Sequence, residues 1–427
     1  MRRMRPKRMV RTAAVTLAMA IGAAGCGAGG EDGGGDAGDG KPEARFETGQ
    51  SVARADEPVT MRLTGIEPGS RVLVRASAED RYDTTWASSV VRTADEHGRI
   101  DLTGNTPRLL GGMVPLGGAQ AKLKGTGKTF SYHTGPPGSQ RSYKVNFSAT
   151  AKSGKSAGMR LADRVLTREW LTKGATHREL TLGKDKVAGD LYLPARGRNG
   201  GGDAGGREAP VLVFGGSEGG NAGTYTAALL ASHGHPAMSV CYFRCGKGVD
   251  RPQGLDSIDL DYFTRAGKIL RAQDGADPGR LAVMGNSRGS EAAQLLGQRR
   301  PSVFRDVIAY APSYKVNGPY LSGTVAWTDH GRPVPTGEIP LDRVRGEVLA
   351  VAGGNDKMWG SAASATAMAR QGADKLVYPD AGHHVNWFPY AQPGQEAGRD
   401  GSVVTTSRAD QKAREDAWPK ALKLLER

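Results

Sequence analysis

The segment "VMGNSRGSEAA", Val283 to Ala293, sets a serine between two glycines, Gly285 and Gly289, in a G-x-S-x-G pattern. A serine hydroxyl is a weak nucleophile until a neighbouring base takes its proton. The chain offers the other two parts of such a relay downstream, in the order serine, acid, histidine. Asp356 closes "EVLAVAGGND", and His383 and His384 lie in "YPDAGHHV". Ser287 is the candidate nucleophile, Asp356 the candidate acid and His383 the candidate base. Neighbouring residues in a loop point in different directions, so only one of the two histidines can face Ser287; His383 is favoured because it directly follows a glycine. Asp380 is a second carboxylate, but it sits too near His383 in sequence to orient the far ring nitrogen comfortably. The plainer reading has Asp356 capping a helix that starts near Ser361, with both histidines merely lining a loop.

An oxyanion formed by attack of Ser287 needs backbone donors. The N–H of Arg288 follows the serine and is one candidate. The glycine-rich loop "GGSEGG", Gly215 to Gly220, allows close backbone approach and supplies the other, with Ser217 first and Gly216 next. Glu218 in that loop argues against phosphate binding there.

These residues need elements to hold them. From Leu166 onward, short apolar runs alternate with helical patterns. "HRELTLG" and "VAGDLYLP" read as a β-hairpin. "PVLVFGG", "PAMSVCYF", "RLAVMG", "DVIAYAP", "EVLAVAG" and "KLVYPD" read as six further strands. Continuous apolar strands are those of a buried parallel sheet. "TYTAALLASHG", "SIDLDYFTRAGKILRAQ", "GSEAAQLLGQR", "SAASATAMARQG" and "SRADQKAREDAWPKALKLLER" read as helices; Leu260, Phe263, Ala266 and Leu270 share one helical face. The pattern predicts a doubly wound α/β sheet. Strand "RLAVMG" runs into Ser287 and a helix starts behind it, the strand–turn–helix setting of a nucleophile elbow in an α/β-hydrolase. The loop "ARGRNGGGDAGGREA" reads as an expanded surface turn.

Before this half, residues 44–165 read as short strands with Pro-Gly, Asp and Gly turns: "VTMRLTGI", "RVLVRASAE", "TWASSVVRTA", "GRIDLTG" and "RSYKVNFSATA". They predict a smaller, immunoglobulin-like all-β sandwich. His97 and His133 stand alone there and are expected at the surface. The α/β-hydrolase part is expected over 166–427.

The combination of "DEPVTMRLTGIEPGSRVLVRAS", "LLGGMVPLGG", "PVLVFGGSEGG", "LDSIDLDYFTRAGKIL", "GNSRGSEAA", "GGNDKMWGS" and "YPDAGHH" resembles the acyl-CoA thioesterase / bile acid-CoA:amino acid N-acyltransferase family. The resemblance implies a β-sandwich followed by an α/β-hydrolase, with Ser287, Asp356 and His383 as triad. It also implies acyl transfer through an acyl-enzyme, and a small-molecule acyl ester or thioester as substrate. In the family, cysteine nucleophiles go with aminoacyl transfer and serine with thioester hydrolysis, so Ser287 favours hydrolysis. The alternatives are an acyl-CoA:amino acid N-acyltransferase, an extracytoplasmic carboxylesterase or peptidase, and a hydrolase-like protein that only binds. No cofactor or metal is called for.

The N-terminus points elsewhere than the cytosol. "MRRMRPKRMVRTAAVTLAMAIGAAGC" has six basic residues, a short apolar stretch, and Ala23-Ala24-Gly25 before Cys26. It resembles a lipoprotein signal, residues 1–26, with Cys26 as the lipidated residue. The expectation is a protein lipid-anchored to the cell membrane on its extracytoplasmic side. Residues 27–43, rich in glycine and acids, read as a flexible tether. The leader carries six of the positive charges behind the net +14. The remaining excess is spread without aromatic interleaving, so no nucleic-acid partner is expected. Export conflicts with coenzyme A as leaving group, because that thioester is cytosolic.

Cys241 and Cys245, in "SVCYFRCGKG", are the remaining thiols. Four extended residues span about 13 Å, and a disulfide needs Cα atoms less than about 7 Å apart. A bond therefore requires a turn at Phe243–Arg244. Glu291 is expected to pack on a helix face, and Trp359 and Trp387 around the acid and histidine loops. His233 and His235, flanking a helix end, are expected to face solvent.

Overall fold

The computed structural model describes residues 43–116, 137–196, 206–320, 323, 325–386, 388–391, 395–397, 403–405 and 408–427. The expected leader with Cys26, the expected tether up to residue 42, His133, Trp387 and most of the expected surface turn after Ala195 lie outside the described residues. Among those described, no helix is long and apolar enough to cross a membrane.

The first half alternates in and out along its strands. In Arg71–Glu79, Val72, Val74, Ala76 and Ala78 point inward while Arg71, Arg75 and Glu79 stay exposed. A period of two is what a half-buried strand requires. This strand pairs antiparallel with Thr85–Thr93 and with Ser142–Ala151. They belong to a six-stranded sheet whose other long member is Arg160–Glu169. A three-stranded sheet of Arg45–Thr48, Met61–Thr64 and Ile100–Asp101 faces it. Phe46 from the small sheet meets Phe147 from the large one at 6.3 Å between ring centres. The strand Arg160–Glu169 carries through the expected boundary at 165/166. It pairs along Ser142–Ala151 up to Glu169, so the ladder continues where composition changes.

The second half is an eight-stranded sheet. Its strands, in chain order, are β1 (Thr176–Leu180), β2 (Ala188–Leu193), β3 (Val211–Phe214), β4 (Ala237–Cys241), β5 (Ala282–Asn286), β6 (Asp306–Tyr310), β7 (Val348–Gly353) and β8 (Asp374–Tyr378). Spatially they run β1-β2-β4-β3-β5-β6-β7-β8. β2 is antiparallel to both β1 and β4; from β4 onward neighbours are parallel. The hairpin and all six later strands read from the sequence are present. The longer helices are α1 (Thr224–Ser232), α2 (Leu260–Arg271), α3 (Arg288–Arg299), α4 (Ser361–Arg370) and α5 (Arg408–Glu426). This is a mixed α/β core of α/β-hydrolase type preceded by all-β sheets.

β3 shows why such strands read as unbroken apolar runs. Val211 and Val213 join one core, Leu212 and Phe214 the other, so both faces are covered. The first of these cores continues into the all-β sheets. Trp170, just past Arg160–Glu169, stacks on Tyr143 at 5.0 Å and meets Phe388 edge-on at 5.0 Å. Burying each large side chain here contributes roughly 1.5–3 kcal/mol.

Candidate active site

The elbow forms where β5 stops and α3 starts. Ser287 sits between them at φ 52° and ψ −121°, a conformation costly for a residue with a side chain. Its N–H donates to the Tyr310 carbonyl at 2.9 Å, which ties the turn to the end of β6. Two glycines make the turn sterically feasible. A Cβ on Gly285 would strike the Gly289 carbonyl, and a Cβ on Gly289 would strike that of Gly215. The pattern thus packs strand, helix and glycine loop against one another, and Ser287 is 6% exposed.

Asp356 and His383 meet at the ends of β7 and β8. His383 Nδ1 lies 2.8 Å from Asp356 Oδ2. The other carboxylate oxygen accepts the N–H groups of Met358, at 2.9 Å, and Trp359. Burial alone raises the Asp356 pKa, but the bonds from His383, Ser361 and Met358 outweigh it and hold the carboxyl below its usual value. The two loops are stitched together: Gly354 N–H reaches the Tyr378 carbonyl, and Asn355 N–H the Ala381 carbonyl. Trp359 packs its ring against His383 at 5.9 Å and donates its indole N–H to the Ala311 carbonyl. Asp380 is exposed. His384 is buried and stands edge-on to His383; burial lowers its pKa to about 4.

The glycine loop comes up against the elbow. A point 2.7 Å from Ser287 Cβ, where a Cβ of Gly216 would lie, is 3.2 Å from Glu218 Oε2. Glu218 Oε1 accepts the Gly216 N–H at 2.9 Å, so that expected donor already has a partner. Glu218 as a whole is exposed, yet its carboxyl folds back onto the Gly215–Gly216 backbone. Loss of water around the carboxyl raises its pKa, against the lowering effects of the Gly216 N–H, its own N–H and the charge of His383. Glu218 is thus a neighbour of Ser287. Tyr242 fixes the loop from below, donating its hydroxyl to the Gly215 carbonyl at 2.8 Å. On the other flank, Gly220 N–H donates to the Phe243 carbonyl.

Arg288 opens α3. Its guanidinium is buried, donates to the carbonyls of Asn317 and Gly318, and pairs with Glu291. Glu291 does face the interior, but as a hydrogen-bonded carboxyl rather than as packing: it is fully buried and accepts from Trp327 Nε1 at 2.9 Å and Asn317 Nδ2 at 2.8 Å. Burial raises its pKa; Arg288, Asn317 and Trp327 oppose that.

Cys241 and Cys245 form a disulfide with Cα atoms 5.6 Å apart. The chain turns at Arg244, whose φ is 49°. His233 and His235 do not face solvent as expected. His233 Nε2 bonds Asp56, at 2.6 Å, and His235 is 3% exposed with Nδ1 against the Ala209 carbonyl. His97 is exposed, as expected. Among the described residues, no group of three or more His, Cys, Asp or Glu side chains is placed to hold a metal ion.

The sequence reading passed over Glu218, Tyr242 and Tyr310 as site residues. A carboxylate inside an otherwise glycine-rich loop was a visible signal for the first. Tyr310 ends β6 and Tyr242 directly follows β4, and nothing local marks either.

Residues 56–113 match the acyl-CoA thioester hydrolase/BAAT N-terminal region, and residues 324–427 the BAAT/acyl-CoA thioester hydrolase C-terminal region. A mouse acyl-coenzyme A amino acid N-acyltransferase 1 is 26% identical over 372 residues, covering 78% of this chain and 84% of that protein. Mouse acyl-coenzyme A thioesterase 1 is 23% identical, covering 79% and 85%. Among solved structures, an α/β hydrolase from a deep-sea metagenome library aligns with a TM-score of 0.41 at 14% identity, over 60% of this chain and all of its own.

Proposed function

From homology to the BAAT/acyl-CoA thioesterase clan, which supports a hydrolase or acyltransferase activity in general, we propose that this protein moves an acyl group through an ester on Ser287. The observation that carries the reading is the pairing of a serine held at φ 52° on a strand–helix elbow with an Asp356–His383 couple at 2.8 Å. In the proposed sequence, His383 Nε2 takes the Ser287 proton as Oγ attacks the acyl carbonyl. Asp356 holds Nδ1 and stabilises the imidazolium. The N–H groups of Arg288 and Ser217 receive the oxyanion, each typically worth about 3 kcal/mol. The imidazolium protonates the departing thiol or alcohol, and an acceptor then resolves the acyl-serine.

The acceptor is water or an amine. The serine favours water; the relatives include both thioesterases and amino acid N-acyltransferases, so transfer to an amino group stands beside hydrolysis and is the better supported by the first relative named above. We also propose that the leader exports the chain and that Cys26 anchors it, which would make the donor an extracytoplasmic ester or thioester.

A panel of acyl-CoA thioesters and p-nitrophenyl esters, each with and without a primary amine, tests the reading. The wild type should turn over at least one donor, and Ser287→Ala should lose about a thousandfold or more. Equal rates for the two proteins would refute it.

A further inference from the structure

β3 has β4 on one side and β5 on the other, all parallel. The glycine loop, the turn after β4 and the elbow therefore open at the same end of the sheet, the end where open α/β sheets hold their ligands. The turn after β4, "CYFRCGKGVDR", carries three cations: Arg244, Lys247 and Arg251. Arg251 is turned inward: its Nε donates to the Tyr242 carbonyl, and its guanidinium lies 4.1 Å over the Tyr262 ring. Arg244 and Lys247 are exposed, and among the described residues neither makes an ion pair.

Arg244 is held firmly in an unfavourable backbone conformation. Its φ is 49°, in the left-handed region where glycine fits better than any residue with a side chain. The Cys241–Cys245 bond ends one residue beyond it. Its N–H donates to the Pro252 carbonyl at 2.7 Å, and the Phe243 carbonyl just before it takes the Gly220 N–H at 3.0 Å. The guanidinium stands 5.8 Å from the centre of the Phe243 ring. That ring packs on the glycine loop: a Cβ on Gly219 would lie 3.2 Å from Phe243 and 2.8 Å from Arg244 Cβ. Gly219 N–H closes a turn onto the Gly216 carbonyl, and a Cβ on Gly216 would lie 2.7 Å from Ser287 Cβ. A single turn of the glycine loop thus separates the two side chains, which puts Arg244 Cβ within about 15 Å of Ser287 Cβ. A strained, cross-linked turn here presents a cation without a counter-charge close to the reactive serine. The complement of such a cation is an anion carried by the substrate.

Resting on the acyl-serine reading above, we propose that Arg244 is a specificity-determining residue that binds an anionic group, carboxylate or phosphate, on the acyl donor. The planar guanidinium offers paired N–H donors to two oxygens of either group. Lys247, three residues on, adds charge of the same sign. The anion anchors the donor at this end while its acyl carbonyl lies at Ser287. It can sit on the acyl chain, as in a dicarboxylic half-ester, or on the leaving group, as in a phosphate-bearing thiol; the recognition chemistry is the same.

The test uses the full chain and three donors of one chain length. p-Nitrophenyl octanoate is neutral, the p-nitrophenyl half-ester of suberic acid carries a carboxylate on its acyl chain, and octanoyl-CoA carries phosphates on its leaving group. The readout is kcat/KM for each anionic donor divided by that for the neutral one. Arg244→Gly suits the local φ, so its melting temperature should not fall below that of the wild type. At least one of its ratios should nevertheless fall about tenfold or more, through KM. Arg244→Lys keeps the charge without the fork and should lie between the two. Raising the salt from about 0.05 to 0.5 M should shrink the wild-type ratio and leave that of Arg244→Gly nearly level. A fall confined to the suberate ester assigns the anion to the acyl chain; one confined to octanoyl-CoA assigns it to the leaving group. Both ratios equal in wild type and Arg244→Gly would overturn the role of Arg244 alone. A wild type no faster than Ser287→Ala on all three donors would overturn the acyl-serine reading, and this one with it.

Discussion

His383 Nδ1 lies 2.8 Å from Asp356 Oδ2, while the opposite oxygen of the same carboxylate accepts the N–H groups of Met358 and Trp359. The acid is therefore fixed by its own loop before it meets the histidine. In Asp356→Asn, an amide replaces the oxygen that receives Nδ1–H, and the imidazole loses its enforced tautomer. The expected loss in kcat is on the order of 10⁴ with little change in the fold. Steady-state kinetics and circular dichroism on the same sample check both halves of that statement.

Asp56 ties the all-β sheets to the α/β part. It is buried, bonded by His233 at the end of α1 and by Trp418 Nε1 in α5. Burial alone would raise its pKa; His233, Trp418 and Arg54 lower it below the usual carboxylate value. A folded pKa depressed in this way adds stability above the unfolded pKa and loses it as pH falls through the folded one. Asp56→Asn should cost about 3 kcal/mol at neutral pH. Urea unfolding should show the gap between wild type and variant narrowing as pH falls from about 5 to below 3.

The Cys241–Cys245 bond closes a short loop whose Phe243 carbonyl accepts the Gly220 N–H of the glycine loop. Cys245→Ser should lower stability by on the order of 2 kcal/mol. Because the loop it braces also carries Ser217, catalytic efficiency should fall several-fold as well. A dithiol reductant should reproduce both effects in the wild type and change nothing in the variant. Thermal melts and initial rates, with and without the reductant, provide the readout.

Gly289 is the elbow glycine that faces the glycine loop. A methyl there would meet the Gly215 backbone, which cannot swing aside as a side chain can. Gly289→Ala should therefore push the glycine loop away from Ser287. The expected result is a loss of activity of 10²-fold or more, typical of removing an oxyanion donor, at a stability cost of about 1–3 kcal/mol. Comparing kcat with the melting curve separates the two.

What was legible in the sequence was what is local in the chain. The elbow is one continuous segment from Val283 to Ala293, and the apolar strands of the parallel sheet announce themselves because both faces are buried. That Ser287, Asp356 and His383 each follow a strand end could be read from the sequence; the 2.8 Å contact joins the last two. Contacts between distant segments could not. His233 and His235 looked like polar residues at a helix end; the partner of His233 lies 177 residues upstream, at Asp56. Glu291 looked like a helix-face residue, and its partners Asn317 and Trp327 come from a later excursion of the chain. The change of composition near Leu166 marks where one kind of sheet gives way to another, but hydrogen bonding ran four residues further. The Cys241–Cys245 bond depended on one backbone angle at Arg244, which residue types do not announce.

The most direct test is where the acyl group sits in mid-reaction. The protein is mixed with a slow p-nitrophenyl ester, quenched in acid within the burst, digested and mapped by mass spectrometry. The acyl mass should appear on the peptide containing Ser287, decay at the turnover rate, and be absent from Ser287→Ala. Turnover with no acyl mass on that peptide, or the same adduct in Ser287→Ala, would contradict the account.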